Sequence, residues 1–193
     1  MNIETVKNLK FLIGVDLQVD FIAGSLAVKG ADEMIERFSK YIKSTYKDYS
    51  FIALTMDWHP YNHISFKDFP RHCVAHSIGA ALDERVIEGV YNNENTKEKV
   101  SVFQKGVNQD EEEFSIFQNK WDGGRLMAKI KYYNPSEIHV CGLVNEFCVF
   151  NTVKDLVNQG MKDKIVLLSD FIVEMDNPNV LYDYAKKIGL TIR

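Results

Sequence analysis

Several residues that can do chemistry stand where apolar runs of this chain stop. Asp16 follows Phe11-Leu12-Ile13-Gly14-Val15, Asp57 follows Phe51-Ile52-Ala53-Leu54-Thr55-Met56, and Lys105 closes Val100-Ser101-Val102-Phe103-Gln104. A fourth run, Ile138-His139-Val140-Cys141, ends at Gly142, and Cys148 lies just beyond it. A cysteine there is a candidate nucleophile. With Asn145 as N-cap, Cys148 falls in the first turn of a helix, where free N–H groups and the helix dipole favour a thiolate. Asp16 is placed to relay the thiol proton. Lys105, beside a glycine that permits close backbone approach, would set a positive charge against both. Singly, each residue has a plain alternative: a buried thiol, a turn aspartate, a surface lysine.

A second group lies in Asp57-Trp58-His59-Pro60-Tyr61-Asn62-His63 and Phe69-Pro70-Arg71-His72. Four of the five histidines fall between His59 and His76. On an extended segment Asp57 and His59 face the same way, and His72 could close the set from across the loop. One carboxylate and two imidazoles, with positions left for water, suit a divalent ion such as Zn²⁺, Fe²⁺ or Mn²⁺. A histidine-rich surface loop without metal is the competing reading. Cys73 and Cys141 read as structural thiols, Asp20 as a loop cap, and Asp110-Glu111-Glu112-Glu113 as a solvated loop.

These residues need a scaffold. The four apolar runs and a fifth, Ile165-Val166-Leu167-Leu168, read as strands buried on both faces. Helix-period segments stand between them: Met34 to Ile42, Leu126 to Tyr133, Phe147 to Asn158, and a last one from Val180 to Ile188. The alternation predicts an α/β three-layer sandwich, with a mostly parallel central sheet and helices on both faces. One domain spanning 1–193 is expected. All four prolines fall in proposed connections. The connection from Trp58 to Ile78 is long enough to be functional, whereas 92–99 is polar throughout and reads as a surface loop. In open parallel sheets ligands bind beyond the carboxyl ends of the strands, and that edge is where Asp16, Asp57, Lys105 and Cys148 converge.

The chain has 193 residues, 46% hydrophobic and 26% charged, with a net charge of −4. This excludes a disordered tail protein. A basic stripe interleaved with aromatics is missing, so nucleic acid is not an expected partner. No apolar run approaches the ~18–20 residues that span a bilayer, and the start lacks a signal-peptide pattern. Three widely spaced cysteines make no disulfide framework. A reducing cytoplasm is the expected location. The oligomeric state stays open, with a homo-oligomer among the options.

Together the motifs resemble the nicotinamidases, a branch of the isochorismatase-like cysteine hydrolases. Asp16-Leu17-Gln18-Val19-Asp20-Phe21 is similar to the family's opening Asp-x-Gln-x-Asp-Phe. Asp57 through Phe66 is similar to Asp-Trp-His-Pro-x-x-His-x-Ser-Phe, and Pro70 through Val74 to Pro-x-His-Cys-Val. Phe103-Gln104-Lys105-Gly106 and Gly142 through Val149 fit the lysine and cysteine motifs. Five such matches run in order over about Phe11 to Leu168.

The resemblance implies an amidohydrolase converting nicotinamide, and by extension pyrazinamide, to the acid and ammonia. Cys148 would be the nucleophile, Asp16 the general base and Lys105 the third member of a triad. Asp57, His59 and His72 would bind the metal, zinc above iron or manganese, with His63 a further ligand or a neighbour acting through water. A cis peptide would precede Val144, and the N–H groups of Val144 and Cys148 would form the oxyanion hole. Phe21 and Phe69 would line the pocket that sandwiches the pyridine ring. The chain departs from the family at Phe69, usually Trp, at Asn145-Glu146, commonly Thr-Asp, and at His76-Ser77-Ile78-Gly79, where Gly-Thr-x-Gly is typical. Glu146 brings a negative charge near Cys148, which opposes a thiolate; Lys105 and the helix terminus are expected to outweigh it. The alternative is another hydrolase of the superfamily, acting on a carbamoyl or vinyl-ether substrate. The isochorismatases proper generally lack the cysteine, and the carbamoyl hydrolases generally lack the Asp57–His59–His72 pattern.

Overall fold

The computed structural model describes residues 9–91, 99–177 and 179–193. The amino-terminal segment, Pro178 and nearly all of the 92–99 stretch lie outside them. Six strands form one sheet: β1 Lys10–Val15, β2 Tyr49–Asp57, β3 Val100–Lys105, β4 Glu137–Leu143, β5 Ile165–Val173 and β6 Thr191–Ile192. Their order is β3-β2-β1-β4-β5-β6, and every adjacent pair is parallel. The helices are α1 Val19–Ile22, α2 Ala31–Thr45, α3 Glu84–Tyr91, α4 Lys120–Tyr133, α5 Phe150–Asn158 and α6 Val180–Ile188. The chain winds outward from β1 to β3, then returns to β4 beside β1 and winds the other way. With right-handed crossovers, α2 and α3 cover one face and α4 and α5 the other. The expected three-layer α/β sandwich is therefore the architecture found.

Burial on both faces explains the apolar runs: Phe11, Leu12, Ile13 and Val15 of β1 are wholly buried, as are Phe51, Ala53 and Leu54 of β2. Three elements escaped the sequence pattern. α1 has four residues and β6 two, too few to show a period. α3 follows the histidine-rich loop and buries only Val86, Gly89 and Val90. Near the carboxyl end of β5 the register with β4 jumps, so that Val140 faces Leu167 but Gly142 faces Ile172.

The reversal of winding falls between β1 and β4. Such a switch point leaves a crevice beyond the carboxyl ends of the two strands. Asp16 leaves β1 there and Cys148 follows β4. Gly142 brings the two strand ends close: it has φ 128°, and a Cβ on it would lie 2.1 Å from the Val15 carbonyl oxygen.

Candidate active site

Lys105 is the centre of the crevice. Its side chain is wholly buried, and a buried ammonium persists only if its neighbours compensate it. Its Nζ lies 2.9 Å from Asp16 Oδ2, donates a short hydrogen bond to Asp57 Oδ1, and lies 3.4 Å from Cys148 Sγ. Asp16 takes a left-handed backbone conformation, φ 52°, that aspartate tolerates. Thr55 donates its hydroxyl to Asp16 Oδ1 at 2.7 Å, and the Asp16 N–H donates to the Thr55 carbonyl at 3.1 Å. Ligating atoms of Asp16, Asp57 and Cys148 all lie within 4.8 Å of one another.

This geometry corrects one expectation. Burial pushes the Cys148 thiol well above its ordinary range; Lys105 pulls it down, but Asp16 and Asp57 push it further up. Burial and the two carboxylates thus oppose the thiolate that the helix start was expected to favour, with Lys105 acting against them. Burial also raises the Asp16 carboxyl, against the pull of Lys105 and with a push from Asp57. A base with a raised pKa suits proton transfer near neutral pH better than an ordinary aspartate does. The helix start differs too. Val144 is the N-cap, and Cys148 lies in a π-helical turn, Asn145–Val149, that runs into α5. Asn145 is not the cap; its Oδ1 accepts from the Leu181 N–H at 3.1 Å.

Asp57 divides its carboxylate. Oδ1 meets Lys105, while Oδ2 lies 3.6 Å from His59 Nε2. Asp57, His59 and His72 offer ligand atoms within 4.8 Å of one another, all on buried side chains. His59 uses Nδ1 on the Gly106 carbonyl at 3.1 Å, and His72 uses Nδ1 on the Pro70 carbonyl at 2.8 Å. Each thereby turns Nε2 to the cluster, the arrangement in which a backbone carbonyl orients a metal-binding histidine. Among the described residues, His59 Nε2 has no hydrogen-bond partner although it is buried. An orphaned imidazole nitrogen beside a carboxylate fits a divalent ion. Burial lowers the pKa of His72 and so favours the neutral ring that ligation needs. His63 differs: its Nδ1 accepts from the Ser65 N–H at 3.2 Å and its Nε2 bonds the Glu111 carbonyl at 3.0 Å. Its ring stacks on His59 at 4.0 Å, but both of its nitrogens are engaged. His76 packs against Trp58 instead.

Phe21, Phe69, Val144 and Cys148 line one pocket, joined by Leu26, Phe114, Phe147, Met175 and Glu112, with Asp57 and His72 in its wall. The Leu143–Val144 peptide is cis. No arginine or lysine lines the pocket among the described residues. It is a small aromatic slot with a thiol on one side and an imidazole–carboxylate cluster on another.

The isochorismatase domain family matches residues 10–180. The chain belongs to that family. It is 27% identical to the nicotinamidase of Saccharomyces cerevisiae over 191 residues, covering 82% of this chain and 86% of that protein. Among solved structures, PnC1 from L. infantum in complex with nicotinate has a TM-score of 0.80 at 28% identity, covering 100% and 96% of the two chains. The pyrazinamidase of Pyrococcus horikoshii in complex with zinc has a TM-score of 0.79 at 28% identity, covering 95% and 98%.

Other residues of this isochorismatase-family site gain their roles only from the structure. Gln18 is wholly buried. It accepts from the Asp57 N–H and donates to the Asp57 and Ala80 carbonyls, each at 2.8 Å, pinning the metal-side loop to β1. Asp20 accepts from the N–H groups of Ser25 at 3.1 Å and Cys73 at 2.7 Å, so it holds the chain just after His72 as well as its own loop. Glu113 is buried and accepts from the Gly106 N–H at 2.7 Å, which corrects the reading of the acidic tetrad as solvated throughout. Gly106 must stay glycine, since a Cβ there would lie 2.4 Å from the His59 ring. Glu146 does not direct its charge at Cys148; its carboxylate accepts backbone N–H groups of Met175, Asp176 and Asn177. Burial raises the thiols of Cys73 and Cys141, consistent with inert structural cysteines.

Proposed function

We propose that this chain is a nicotinamidase, an amidohydrolase that releases ammonia from nicotinamide and serves NAD salvage in the cytoplasm. The observation that carries the reading is one aromatic slot bordered by the Cys148 thiol, with Lys105 3.4 Å from its sulfur, and by the Asp57–His59–His72 cluster. A flat neutral aromatic amide fits such a slot. A carboxylate substrate, such as a vinyl-ether dianion or an N-carbamoyl acid, would find no arginine or lysine on the lining among the described residues. Nicotinamidase and pyrazinamidase relatives support the same substrate class.

The mechanism follows from the residues. Asp16 takes the Cys148 proton as Sγ attacks the amide carbonyl. The Lys105 ammonium, shared between Asp16 and the sulfur, steadies negative charge as it passes between them. N–H groups of Val144 and Cys148 hold the oxyanion, each donor worth about 2.7–4 kcal/mol. Protonated Asp16 gives its proton to the departing ammonia, leaving a thioester. Asp16 then takes a proton from water, which attacks the thioester; the C–S bond breaks, nicotinate leaves, and Asp16 returns the proton to the Cys148 sulfur. Phe21 and Phe69 hold the ring. A divalent ion, zinc by the donor set, held by Asp57, His59 and His72 would supply a Lewis-acid contact that orients the ring nitrogen. His63, with both nitrogens bonded, supports that set from behind.

The test is ammonia release by purified protein from nicotinamide, pyrazinamide and an N-carbamoyl amine, with release of the 2-oxo acid from a vinyl-ether acid read beside it. Turnover of both amides is expected. Turnover of a carbamoyl or vinyl-ether substrate with none of nicotinamide would overturn the reading.

A further inference from the structure

Resting on the aromatic-amide reading, we propose that Glu146 is a positioning residue that holds Met175 against the substrate ring and so sets which ring substituents the pocket accepts. Glu146 stands two residues before the nucleophile. Its Oε1 accepts from the N–H groups of Met175 at 3.0 Å, Asp176 at 2.7 Å and Asn177 at 2.9 Å, and its Oε2 from Met175 again at 3.2 Å. Three successive N–H groups on one carboxylate form a nest around an anion. The pairing of β4 with β5 ends at Leu143 and Val173, so residues 174–177 lie beyond the ladder. Glu146 gives their N–H groups the acceptor that the sheet no longer supplies. The neighbouring Asn145 ties Leu181 by its Oδ1 at 3.1 Å. Two consecutive side chains of one turn thus grip the segment after β5 at its start and again at α6.

Met175 lines the substrate pocket together with Cys148. One five-residue turn therefore carries the nucleophile and, through Glu146, sets the distance to an opposing wall. Flat unsubstituted rings pass, and bulk directed at Met175 is refused. The charge of Glu146 is directed to the N–H groups it gathers, so its action is mechanical and not an electrostatic effect on the thiol.

Glu146→Gln and Glu146→Ala separate the two roles. Glutamine keeps an oxygen for the nest but no charge; alanine keeps neither. Glu146→Ala should raise KM for nicotinamide about tenfold, the size of effect that loss of hydrogen bonds to a charged group has, while kcat falls much less. It should also raise kcat/KM for ring-methylated nicotinamides relative to nicotinamide. Glu146→Gln should stay near wild type on both measures. Met175→Ala, which leaves the nest intact, should reproduce the relaxed ring selectivity even if Glu146→Ala folds poorly. The pH dependence of Cys148 alkylation should be the same in all of these proteins. If Glu146→Gln is as damaging as Glu146→Ala and moves that alkylation profile, Glu146 acts through its charge and the proposal is wrong. Unchanged ring selectivity in Met175→Ala overturns it as well. Failure of the wild type to release ammonia from nicotinamide would be a failure of the function reading, and the selectivity claim would fall with it. The clamp is then judged by hydrogen exchange at the amides of 175–177, slow in wild type and fast in Glu146→Ala if it exists.

Discussion

Both ends of the central strands carry a chain of polar side chains, buried throughout at one end and running out to solvent at the other, and the two chains also differ in how their groups are partnered. At the amino ends of β1, β2 and β4, the Tyr41 and Tyr49 hydroxyls meet at 2.6 Å, and Tyr49 bonds His139 Nδ1 at 2.8 Å. His139 Nε2 bonds Glu137 at 2.8 Å, and the Arg193 guanidinium forks onto the same carboxylate at 2.7 and 2.9 Å. Each group has a partner of the complementary kind, and burial keeps His139 neutral by lowering its pKa. At the carboxyl ends, one ammonium serves two carboxylates and a thiol, and His59 Nε2 has no hydrogen-bond partner among the described residues. A satisfied buried network adds order and stability. An over-subscribed one shifts pKa values and leaves atoms free for a ligand, which is what a reaction needs. The same sheet thus holds a structural edge and a reactive edge, told apart by satisfaction of the polar groups as well as by their burial.

The largest expected effect belongs to the reactive edge. Cys148→Ala should abolish ammonia release while thermal unfolding stays close to wild type, because a small buried thiol becomes a small apolar group. Rapid-quench mass spectrometry of the wild type should find an acyl adduct on Cys148; an adduct on Cys73 would remove the assignment. Asp16→Asn should lower kcat by about 10²–10⁴-fold, the usual contribution of a general base. In the wild type, activity should be lost as the pH falls through the raised pKa of Asp16. The acid limb of kcat/KM should therefore lie above the ordinary aspartate value of ~3.9. A limb at or below that value would show that Asp16 is not the base.

Next comes Lys105→Met. It removes the cation that opposes burial at Cys148, so the alkylation profile with iodoacetamide should move to higher pH. It also leaves Asp16 and Asp57 buried without their cation, an error that typically costs about 3–5 kcal/mol. Activity and melting temperature should both fall. An unchanged alkylation profile would mean that the ammonium does not act on the sulfur.

Metal removal should have a narrower effect. Chelation, or His59→Ala, should raise KM for nicotinamide far more than it slows any hydrolysis of benzamide, which has the amide without the ring nitrogen. Equal loss on both amides would assign the Asp57–His59–His72 group to the fold rather than to positioning.

The reactive edge was the more legible of the two in the sequence. Apolar runs buried on both faces end abruptly, so Asp16, Asp57 and Lys105 announce the carboxyl edge by position alone. The Trp58–Ile78 connection declares itself by length and histidine content. What could not be read are bonds from side chains to distant backbone. Gln18 meets Ala80 across 62 positions, and Glu146 meets Met175 across 29. Such bonds leave no period and no spacing rule. The surroundings of Cys148 escaped the reading for a related reason: a helix start can be seen in a sequence, whereas full burial beside two carboxylates cannot. α1, β6 and α3 were missed because four residues, two residues, or one buried stripe after an irregular loop, give pattern analysis too little to count.

The smallest effect should come from the structural edge, where Glu137→Gln tests the comparison itself. Arg193 and His139 hold the Glu137 carboxyl down at about 2. Since an unfolded glutamate titrates near ~4.3, the folded protein favours the ionised form. The stabilisation is then fully present above ~4.3 and is lost as the pH falls towards 2. Glutamine keeps the shape but removes the charge that Arg193 and His139 bind. The side chain is 27% exposed and its Arg193 partner 51% exposed, so solvent screens the pair and the cost at neutral pH should be about 1 kcal/mol. Denaturant titrations of both proteins should show this gap at pH 7 and its disappearance on acidification. Catalytic constants at pH 7 should be the same for the two. A fall in kcat with the glutamine variant would mean that the amino-end network reaches the triad along β1 or β4, and the two edges could no longer be treated as independent.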